Sequence, residues 1–245
     1  MLGALRAEWT KARTTGGPAW LLLGVAALTA GLSAAAVAAM SCPAAGCVVD
    51  LPRLSLTGVQ LGQAVVALLA VLVVSNEYGT GMIRTTLTAM PNRIAVLAAK
   101  MLLVMAAVLV AGAAGVAAGV LVARRVMPFA LTGPALRAAG GSVLYLVLIG
   151  LLSVGVAALV RDSAAAVGTV LGLLYLSPIL AGIFTDPAWH RHFEQIAPTT
   201  AGLMIQTTAG VRSLPLSPWA GLGVLALWAA GALVAGGGRL ALRDA

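Results

Sequence analysis

The chain has 245 residues, of which 61% are hydrophobic, and its 15 basic and 7 acidic residues leave a formal net charge of +8. A soluble protein of this length needs polar side chains over its whole outer surface, so this composition excludes a soluble globular domain. The basic residues stand singly or in pairs, which argues against a nucleic-acid surface and favours contact with lipid headgroups at the ends of membrane spans.

The charged residues divide the chain into uncharged stretches of membrane-spanning length. Six stretches of at least 23 residues contain no charge, and 23 helical residues cover about 34 Å, enough for a hydrocarbon core of about 30 Å. We therefore predict an all-α membrane protein forming a single domain over residues 1–245. Its six transmembrane helices are predicted at about 19–40, 54–76, 101–123, 138–160, 163–185 and 217–238.

The N-terminal residues 2–15 form a distinct amphipathic element. An apolar arc of the helical wheel leaves Glu8 and Lys11 to one side, and Gly16-Gly17-Pro18 follows as a helix break. The ring of Trp9 is suited to the headgroup level. This pattern predicts an interfacial helix that turns into the first span. The apolar arc consists of Leu2, Leu5, Trp9 and Ala12.

The first loop contains the two cysteines of the chain, Cys42 and Cys47. If this loop faces an oxidising outer compartment, the two could form a disulfide that stiffens a turn. Two unpaired thiols fit the sequence equally well, because the sequence alone does not give the distance between them.

The connection after the second predicted span is longer than a minimal loop requires. Gly79 and Gly81 permit a tight turn, Thr80 can cap a helix, and Pro91 can end one. A short helix between them would be apolar on one face, which suits either a membrane surface or another protein. The residues of that face are Met82, Ile83, Thr86, Leu87 and Met90.

The last long connection, residues 186–217, is too apolar for a free loop and too rich in proline for a span. It predicts a re-entrant or interfacial segment on the outer face, since irregular backbone at membrane depth is tolerated where protein buries it. Three glycine pairs have the four-residue spacing of closely packed helices, namely Gly58/Gly62, Gly115/Gly119 and Gly168/Gly172.

The distribution of basic residues favours cytoplasmic termini. Six spans put both termini on one side, and with the termini inside, nine basic residues are cytoplasmic and six are outside. The Arg124-Arg125 pair on the outside opposes this trend. The basic residues assigned to the cytoplasmic side are Arg6, Lys11, Arg13, Arg84, Arg93, Lys100, Arg161, Arg239 and Arg243.

The sequence offers little catalytic chemistry. Neither lysine is followed by Ser or Thr, so a phosphate-binding loop is lacking, and no predicted span contains a charge for an ion relay. Gln60 and Gln63 share a helix face, which a hydrogen bond between helices explains more simply than a substrate contact. His190 and His192, with Glu194 nearby, are better explained as solvated residues than as a metal site. We predict that the chain is not an enzyme and binds no cofactor.

The segment from Leu61-Gly62-Gln63 through Asn76-Glu77-Tyr78-Gly79-Thr80-Gly81-Met82-Ile83-Arg84-Thr85-Thr86, continuing to Ala98-Ala99-Lys100, resembles the type-2 permease subunits of bacterial ATP-binding-cassette exporters. The opening Glu8-Trp9-Thr10-Lys11-Ala12-Arg13 is similar to their N-terminal helix. The resemblance implies a cytoplasmic coupling helix that docks on a separate ATPase subunit. The docking residues it implies are Glu77, Tyr78, Thr80, Met82, Arg84, Thr85 and Thr86.

The same resemblance implies a dimer, either of two copies or with a sister permease, in the bacterial cytoplasmic membrane. It also implies that the N-terminal helix lies at the interface and that the outer re-entrant hairpin lies within 186–216. A non-transporting membrane interaction or immunity protein is the alternative from another class, and it would need no ATPase. Secondary transport is disfavoured by the lack of charges inside the spans. Drugs, peptides, lipids and glycans all stay open as cargo.

Overall fold

The protein is described from a computed structural model, which covers residues 2–14, 16–40, 49–82, 88, 93–183 and 186–242. Within these ranges the chain is helical and contains no β-strand. Six segments are long and apolar enough to cross a membrane, which confirms the predicted number of spans. The chain has the architecture of a multi-pass helical membrane protein.

The described chain forms eleven α-helices, which are numbered here in chain order. They are α1 (Leu2–Thr14), α2 (Gly16–Ala38), α3 (Leu51–Leu54), α4 (Val59–Gly79), α5 (Arg93–Val126), α6 (Gly133–Val160), α7 (Ser163–Leu171), α8 (Ser177–Ile183), α9 (Pro187–Ile196), α10 (Pro198–Leu203) and α11 (Pro218–Leu242). The terminal face is the end of the bundle where α2 begins and α11 ends. The opposite face is the other end, where α3, α9 and α10 lie.

The helix α2 is held by small residues on its neighbours. Hypothetical Cβ atoms on Gly58 and Gly62 would lie 1.9 Å from the Thr29 carbonyl oxygen and 2.3 Å from its hydroxyl oxygen. Those on Gly115 and Gly119 would lie 3.0 Å from Ala26 and 3.1 Å from Ser33. These two glycine pairs therefore do mark close helix packing, as predicted. The third pair, Gly168/Gly172, meets nothing within 4 Å inside the described chain, so that prediction of a contact is wrong for the isolated chain.

The long helix α6 occupies the centre of the bundle and packs most extensively on α11. The contact is close because Gly155 faces Gly236, where an added Cβ on Gly236 would lie 2.5 Å from the Gly155 carbonyl oxygen. Fully buried side chains of α6, among them Tyr145, Leu146 and Ile149, fill the core. Burial of this kind identifies α6 as the element around which the other spans assemble.

The fifth span is not a uniform α-helix. A π-helical turn, Gly172–Leu176, separates α7 from α8. Pro178 explains it locally, because proline has no N–H to donate to the carbonyl four residues earlier, and its ring forces the preceding turn to widen. The turn places Tyr175 so that its hydroxyl donates a hydrogen bond to the Gln60 carbonyl oxygen on α4.

The segment between α8 and α11 is compact and is divided into two short helices. The helix α9 carries exposed Trp189 and Ile196, whereas α10 and the 3-10 turn Met204–Gln206 are largely buried against α6 and α11. Ile205 contacts Gly141, which lies about 12 Å along α6 from its first residue. The buried part of this connection, from α10 through the 3-10 turn, therefore lies beside the first half of α6.

Candidate functional site

Four charged side chains form a cluster on the terminal face. The charge cluster consists of Glu8 and Lys11 from α1, Glu77 from the last turn of α4 and Lys100 from α5. Glu8, Glu77 and Lys100 are 3%, 4% and 3% exposed. A buried charge is tolerated only when it is paired and hydrogen-bonded, so the geometry of this cluster determines whether it can exist.

The geometry pairs every charge in the cluster, and among the buried carboxylate oxygens of Glu77 only Oε2 accepts no hydrogen bond from a described residue. The Lys100 ammonium lies 2.9 Å from Glu8 Oε2 and 2.8 Å from Glu77 Oε1, and it also donates to the Val73 carbonyl oxygen at 3.3 Å. The Lys11 ammonium lies 2.7 Å from Glu77 Oε1 and 3.2 Å from Glu8 Oε1. Each lysine bridges both carboxylates, and the two positive charges balance the two negative ones.

The protonation of the more accessible lysine follows from this arrangement. Burial lowers the pKa of Lys11, but the hydrogen bond to Glu77 and the charges of Glu8 and Glu77 outweigh burial and hold its pKa above the ordinary value. Lys11 is therefore charged at neutral pH.

The charge cluster lies beside the connection between α4 and α5. That connection runs from residue 80 to residue 92, because α4 ends at Gly79 and α5 begins at Arg93. The helices therefore extend further into this region than the predicted 76 and 101. The left-handed backbone of Gly81 (φ 71°) turns the chain away from α4, as its glycine predicts.

Further contacts fix both ends of this connection to the bundle. The guanidinium of Arg161, the residue that follows α6, lies 5.5 Å from the Tyr78 ring centroid and donates to the Arg239 carbonyl oxygen at 3.2 Å. Arg93 donates to the Leu240 carbonyl oxygen at 3.1 Å. Residues on either side of the connection are thus bonded to α1, α6 and α11.

The predicted docking residues separate into two groups. Glu77 and Tyr78 are engaged inside the chain, in the charge cluster and beneath Arg161, whereas Thr80 and Met82 are exposed. Arg84, Thr85 and Thr86 lie outside the described residues, and so do Cys42 and Cys47.

The second feature is a cavity of about 570 Å³ toward the opposite face. It lies between α4, the π-helical turn, α8 and α10, and Gln60, Gln63 and Tyr175 line it. The side chain of Gln63 accepts a hydrogen bond from Tyr145 on α6, which confirms the predicted hydrogen bond between helices. The volume of the cavity falls within the range of about 300–1,000 Å³ typical of small-molecule sites.

Asp50 connects the two opposite-face segments next to this cavity. Its carboxylate accepts hydrogen bonds from the backbone N–H groups of Arg53 at 3.1 Å, Thr208 at 2.8 Å and Ala209 at 3.0 Å, and from the Thr208 hydroxyl. Burial raises the pKa of Asp50, but these bonds outweigh burial and hold the pKa below its ordinary value. The carboxylate therefore ties α3 to the backbone that follows α10.

The two histidines lie on α9 and are not both engaged in one site. His190 Nε2 lies 3.4 Å from Glu194 Oε1, and His192 packs edge-on against Trp189. Among the described residues no three metal-ligating side chains come together. The pair in α9 is a surface interaction of adjacent helical turns.

No family model matches the chain, and no curated protein matches it.

Sequence reasoning missed the charge cluster as a unit. It assigned Lys100 to the cytoplasmic surface and placed Glu8 and Lys11 only by their position off an apolar arc. One sequence signal points to these residues. Acidic residues are scarce in the chain, and Glu77 and Lys100 both adjoin apolar stretches of spanning length. Their pairing could not be predicted, since it depends on where α1 docks.

Proposed function

We propose that the chain is the membrane-spanning permease subunit of an ATP-binding-cassette exporter, driven by a separate ATPase subunit. It would form the translocation path as a dimer, with a second copy or a sister permease. The observation that carries the proposal is the charge cluster beside the 80–92 connection. The sequence resemblance of that region gives the connection its role as the coupling helix.

A coupling helix can transmit a movement to the spans only if the helices on both sides of it are held firmly together. The buried ion pairs of Glu77 and Lys100 join the helices on both sides of the connection to each other and to α1. Because separating these charges in a dry environment is costly, α1, α4 and α5 are expected to move as one body when the connection is pushed. A nucleotide-driven movement of a docked ATPase would thus reach two spans at once.

The exposed side of the connection supplies the contact surface. Met82 is 46% exposed, and Thr80 is exposed beside it. A flexible thioether adapts well to a groove on a partner protein. Arg84, Thr85 and Thr86 extend the surface by resemblance, and the arginine would supply its charged contact.

The terminal face is the cytoplasmic one in this proposal. Nine of the 15 basic residues belong to it by topology, in the direction of the positive-inside rule. Trp9 in α1 is 56% exposed, and the Arg13 guanidinium lies 5.9 Å from its ring centroid. An exposed tryptophan beside a cation suits the headgroup level, which supports an interfacial α1.

The remaining architecture is compatible with a dimer. The first and fifth spans are the least covered by the rest of the chain, and lipid or a second permease can cover them. In this proposal residues 198–206, which pack beside α6, would be part of the re-entrant hairpin that the resemblance implies within 186–216. The sequence contains neither a phosphate-binding loop nor a charge for an ion relay within the predicted spans, which is why an ATPase partner is part of the proposal.

The proposal is tested by expressing the chain with and without the ATP-binding-cassette ATPase encoded in its gene neighbourhood. Vesicles containing both proteins are expected to hydrolyse ATP faster than the ATPase alone, and the chain by itself is expected to hydrolyse none. A chain that hydrolyses ATP alone would contradict the division of labour. A neighbourhood without such an ATPase, together with a chain that purifies with none, would favour a non-transporting interaction or immunity protein.

A further inference from the structure

The cavity toward the opposite face is lined by two accessible side chains of opposite charge. Within the described lining the charged residues are Arg53 on α3 and Glu194 on α9. Arg53 is exposed, and its guanidinium donates no hydrogen bond to a described residue, although its backbone N–H is bonded to Asp50. The Glu194 side chain is 32% exposed and lies 3.4 Å from His190. One cation and one carboxylate are therefore available at the same cavity.

The cation belongs to a polar wall of the cavity that runs from α3 into α4. Arg53, Thr57 and Gln60 all line the cavity, and they lie on one side of this segment, as their spacing of four and three residues predicts. Gln60 is exposed, so its neutral amide adds donors and acceptors to the same wall.

Exposed tryptophans mark the depth of this cavity in the membrane. Trp189 on α9 and Trp219 at the start of α11 are 57% and 59% exposed. Exposed tryptophans at the ends of spans lie at the level of the lipid headgroups. Glu194 is on the same short helix as Trp189, and Arg53 precedes the second span. The two charges therefore stand at headgroup depth.

The apolar part of the lining continues onto the outer surface of the fifth span. Ile179 belongs to the lining and is 62% exposed. Leu176 lies three residues earlier, toward the middle of the span, and is 52% exposed. Residues three apart are neighbours on a helix surface. An acyl chain that leaves the cavity at Ile179 can therefore run along Leu176 toward the centre of the bilayer.

The pair of charges determines which headgroup the cavity suits. A headgroup with a single negative charge would gain the contact with Arg53 but would be repelled by the Glu194 carboxylate. A zwitterionic headgroup can place its phosphate beside Arg53 and its ammonium beside Glu194, so each ion that leaves water meets a counter-charge. A cavity of about 570 Å³ has the size of a small-molecule site, so the headgroup would lie inside it and the acyl chains outside.

We infer that this cavity binds a zwitterionic phospholipid, with its headgroup between Arg53 and Glu194 and one acyl chain along α8 from Ile179 to Leu176. The guanidinium would donate hydrogen bonds to the phosphate oxygens, and the lipid ammonium would donate to the carboxylate. This lipid is a bound component of the opposite face, so the site requires neither an ATPase nor any particular cargo.

The test uses the full chain purified in maltoside micelles, which supply no charged headgroup. Two probes, a phosphatidylethanolamine and a phosphatidylglycerol, carry the same photoreactive diazirine in the acyl chain. Mass spectrometry is expected to find saturable labelling at residues 176–179, about three- to fivefold stronger with the zwitterionic probe, as suits half-exposed charges. Labelling that is equal for both headgroups, that does not saturate or that is spread over all spans would overturn the inference.

Competition distinguishes a lipid from a soluble zwitterion. Unlabelled phosphatidylethanolamine is expected to displace the probe, whereas soluble glycerophosphoethanolamine, which has the same headgroup and no acyl chain, is expected to leave labelling unchanged. Displacement by the soluble compound at the same concentration would contradict the part given to the acyl chain and to Ile179.

Matched variants test the two charges separately. Arg53→Gln is expected to weaken labelling by both probes about three- to fivefold, and Arg53→Lys is expected to retain most of it. Glu194→Gln is expected to raise phosphatidylglycerol labelling toward that of phosphatidylethanolamine, because the repelling carboxylate is removed. Arg212→Gln is the control, since Arg212 is exposed on the opposite face and is not a lining residue.

The change of headgroup preference is a result that misfolding does not produce, and thermal unfolding of each variant checks its fold. An Arg53→Gln chain labelled as strongly as the wild type, or a Glu194→Gln chain that keeps the wild-type preference, would refute the site. The wild-type comparison of the two probes tests the inference even if a variant does not fold. No ATPase is present, so failure here leaves the proposed exporter untouched.

Discussion

Lys100 is the residue on which the charge cluster depends most, because its ammonium contacts Glu8 and Glu77 while only 3% of the residue is exposed. Lys11 shares both carboxylates but is half-buried, so water can partly replace it. Removing the buried lysine would leave two carboxylates with one accessible cation. The cost of that imbalance can be measured.

Lys100→Met keeps the length of the side chain and removes the charge. We expect the free energy of unfolding to fall by about 3–5 kcal/mol, because one partner of a buried ion pair is left uncompensated. Thermal unfolding in detergent measures it. Glu194→Gln is the control, since its contact with His190 is largely at the surface and should contribute less than about 1 kcal/mol.

A second substitution tests whether the loss comes from charge imbalance. Glu77→Gln combined with Lys100→Met removes one charge of each sign and leaves Glu8 with Lys11. The double variant is therefore expected to be less destabilised than the sum of the two single variants. Strict additivity would show that these residues do not act as a cluster.

The hydrogen bonds of the Asp50 carboxylate predict that the stability of the protein falls at acidic pH. Its pKa in the folded protein is below the ordinary value, so its contribution to stability is complete above the unfolded pKa of about 3.9 and is lost as pH falls through the lower folded pKa. Asp50→Asn cannot titrate, so its unfolding temperature should fall less than that of the wild type between about pH 5 and pH 2. Equal slopes for the two proteins would contradict the role given to the carboxylate.

At the scale of helices, identical glycine spacings have different meanings. Gly58/Gly62 and Gly168/Gly172 share the same four-residue separation, yet only the first pair contacts a neighbouring helix. Spacing specifies which face of a helix the glycines share, but not whether another helix lies there. The packing of α2 could therefore be suggested from sequence and not established by it.

Substitution of one glycine from each pair measures this difference. Gly58→Ala introduces a Cβ that would lie 1.9 Å from the Thr29 carbonyl oxygen, a backbone atom, so we expect destabilisation of about 1–3 kcal/mol or more. Gly168→Ala meets open space in a helix interior, where alanine is favoured over glycine by about 0.5–1 kcal/mol. Thermal unfolding of the two variants should therefore shift in opposite directions. A Gly58→Ala protein as stable as the wild type would contradict the close contact between α2 and the start of α4.

Helix boundaries show the second limit of the sequence. The positions of the charged residues predict a third span at 101–123, whereas α5 runs from Arg93 to Val126. Hydropathy detects the part of a helix that matches hydrocarbon, and a helix does not stop where hydrocarbon stops. The seven residues before Lys100 continue the helix, and they bring that lysine to Glu8 and Glu77.

For the whole molecule, the number of spans and the all-helical class could be predicted because both depend only on uncharged length. The candidate site could be predicted only in part. Resemblance indicated the region from Glu77 to Thr86, but burial divides its described residues into an internal pair and an exposed pair. The cavity and the charge cluster depend on contacts between residues far apart in the chain, which no local pattern contains.

The central claim is that residues 80–92 dock on an ATPase subunit. The most direct test is to purify the tagged chain from native membranes and to identify co-purifying ATP-binding-cassette ATPases by mass spectrometry. Wild type and Arg212→Glu, a charge reversal of an exposed residue on the opposite face, are expected to retain such an ATPase. Arg84→Glu is expected to insert at normal abundance and to lose it, because charge reversal in a docked contact typically costs a few kcal/mol. An Arg84→Glu chain that retains the ATPase as well as the wild type does, or a wild-type chain that purifies with no such ATPase, would contradict the account.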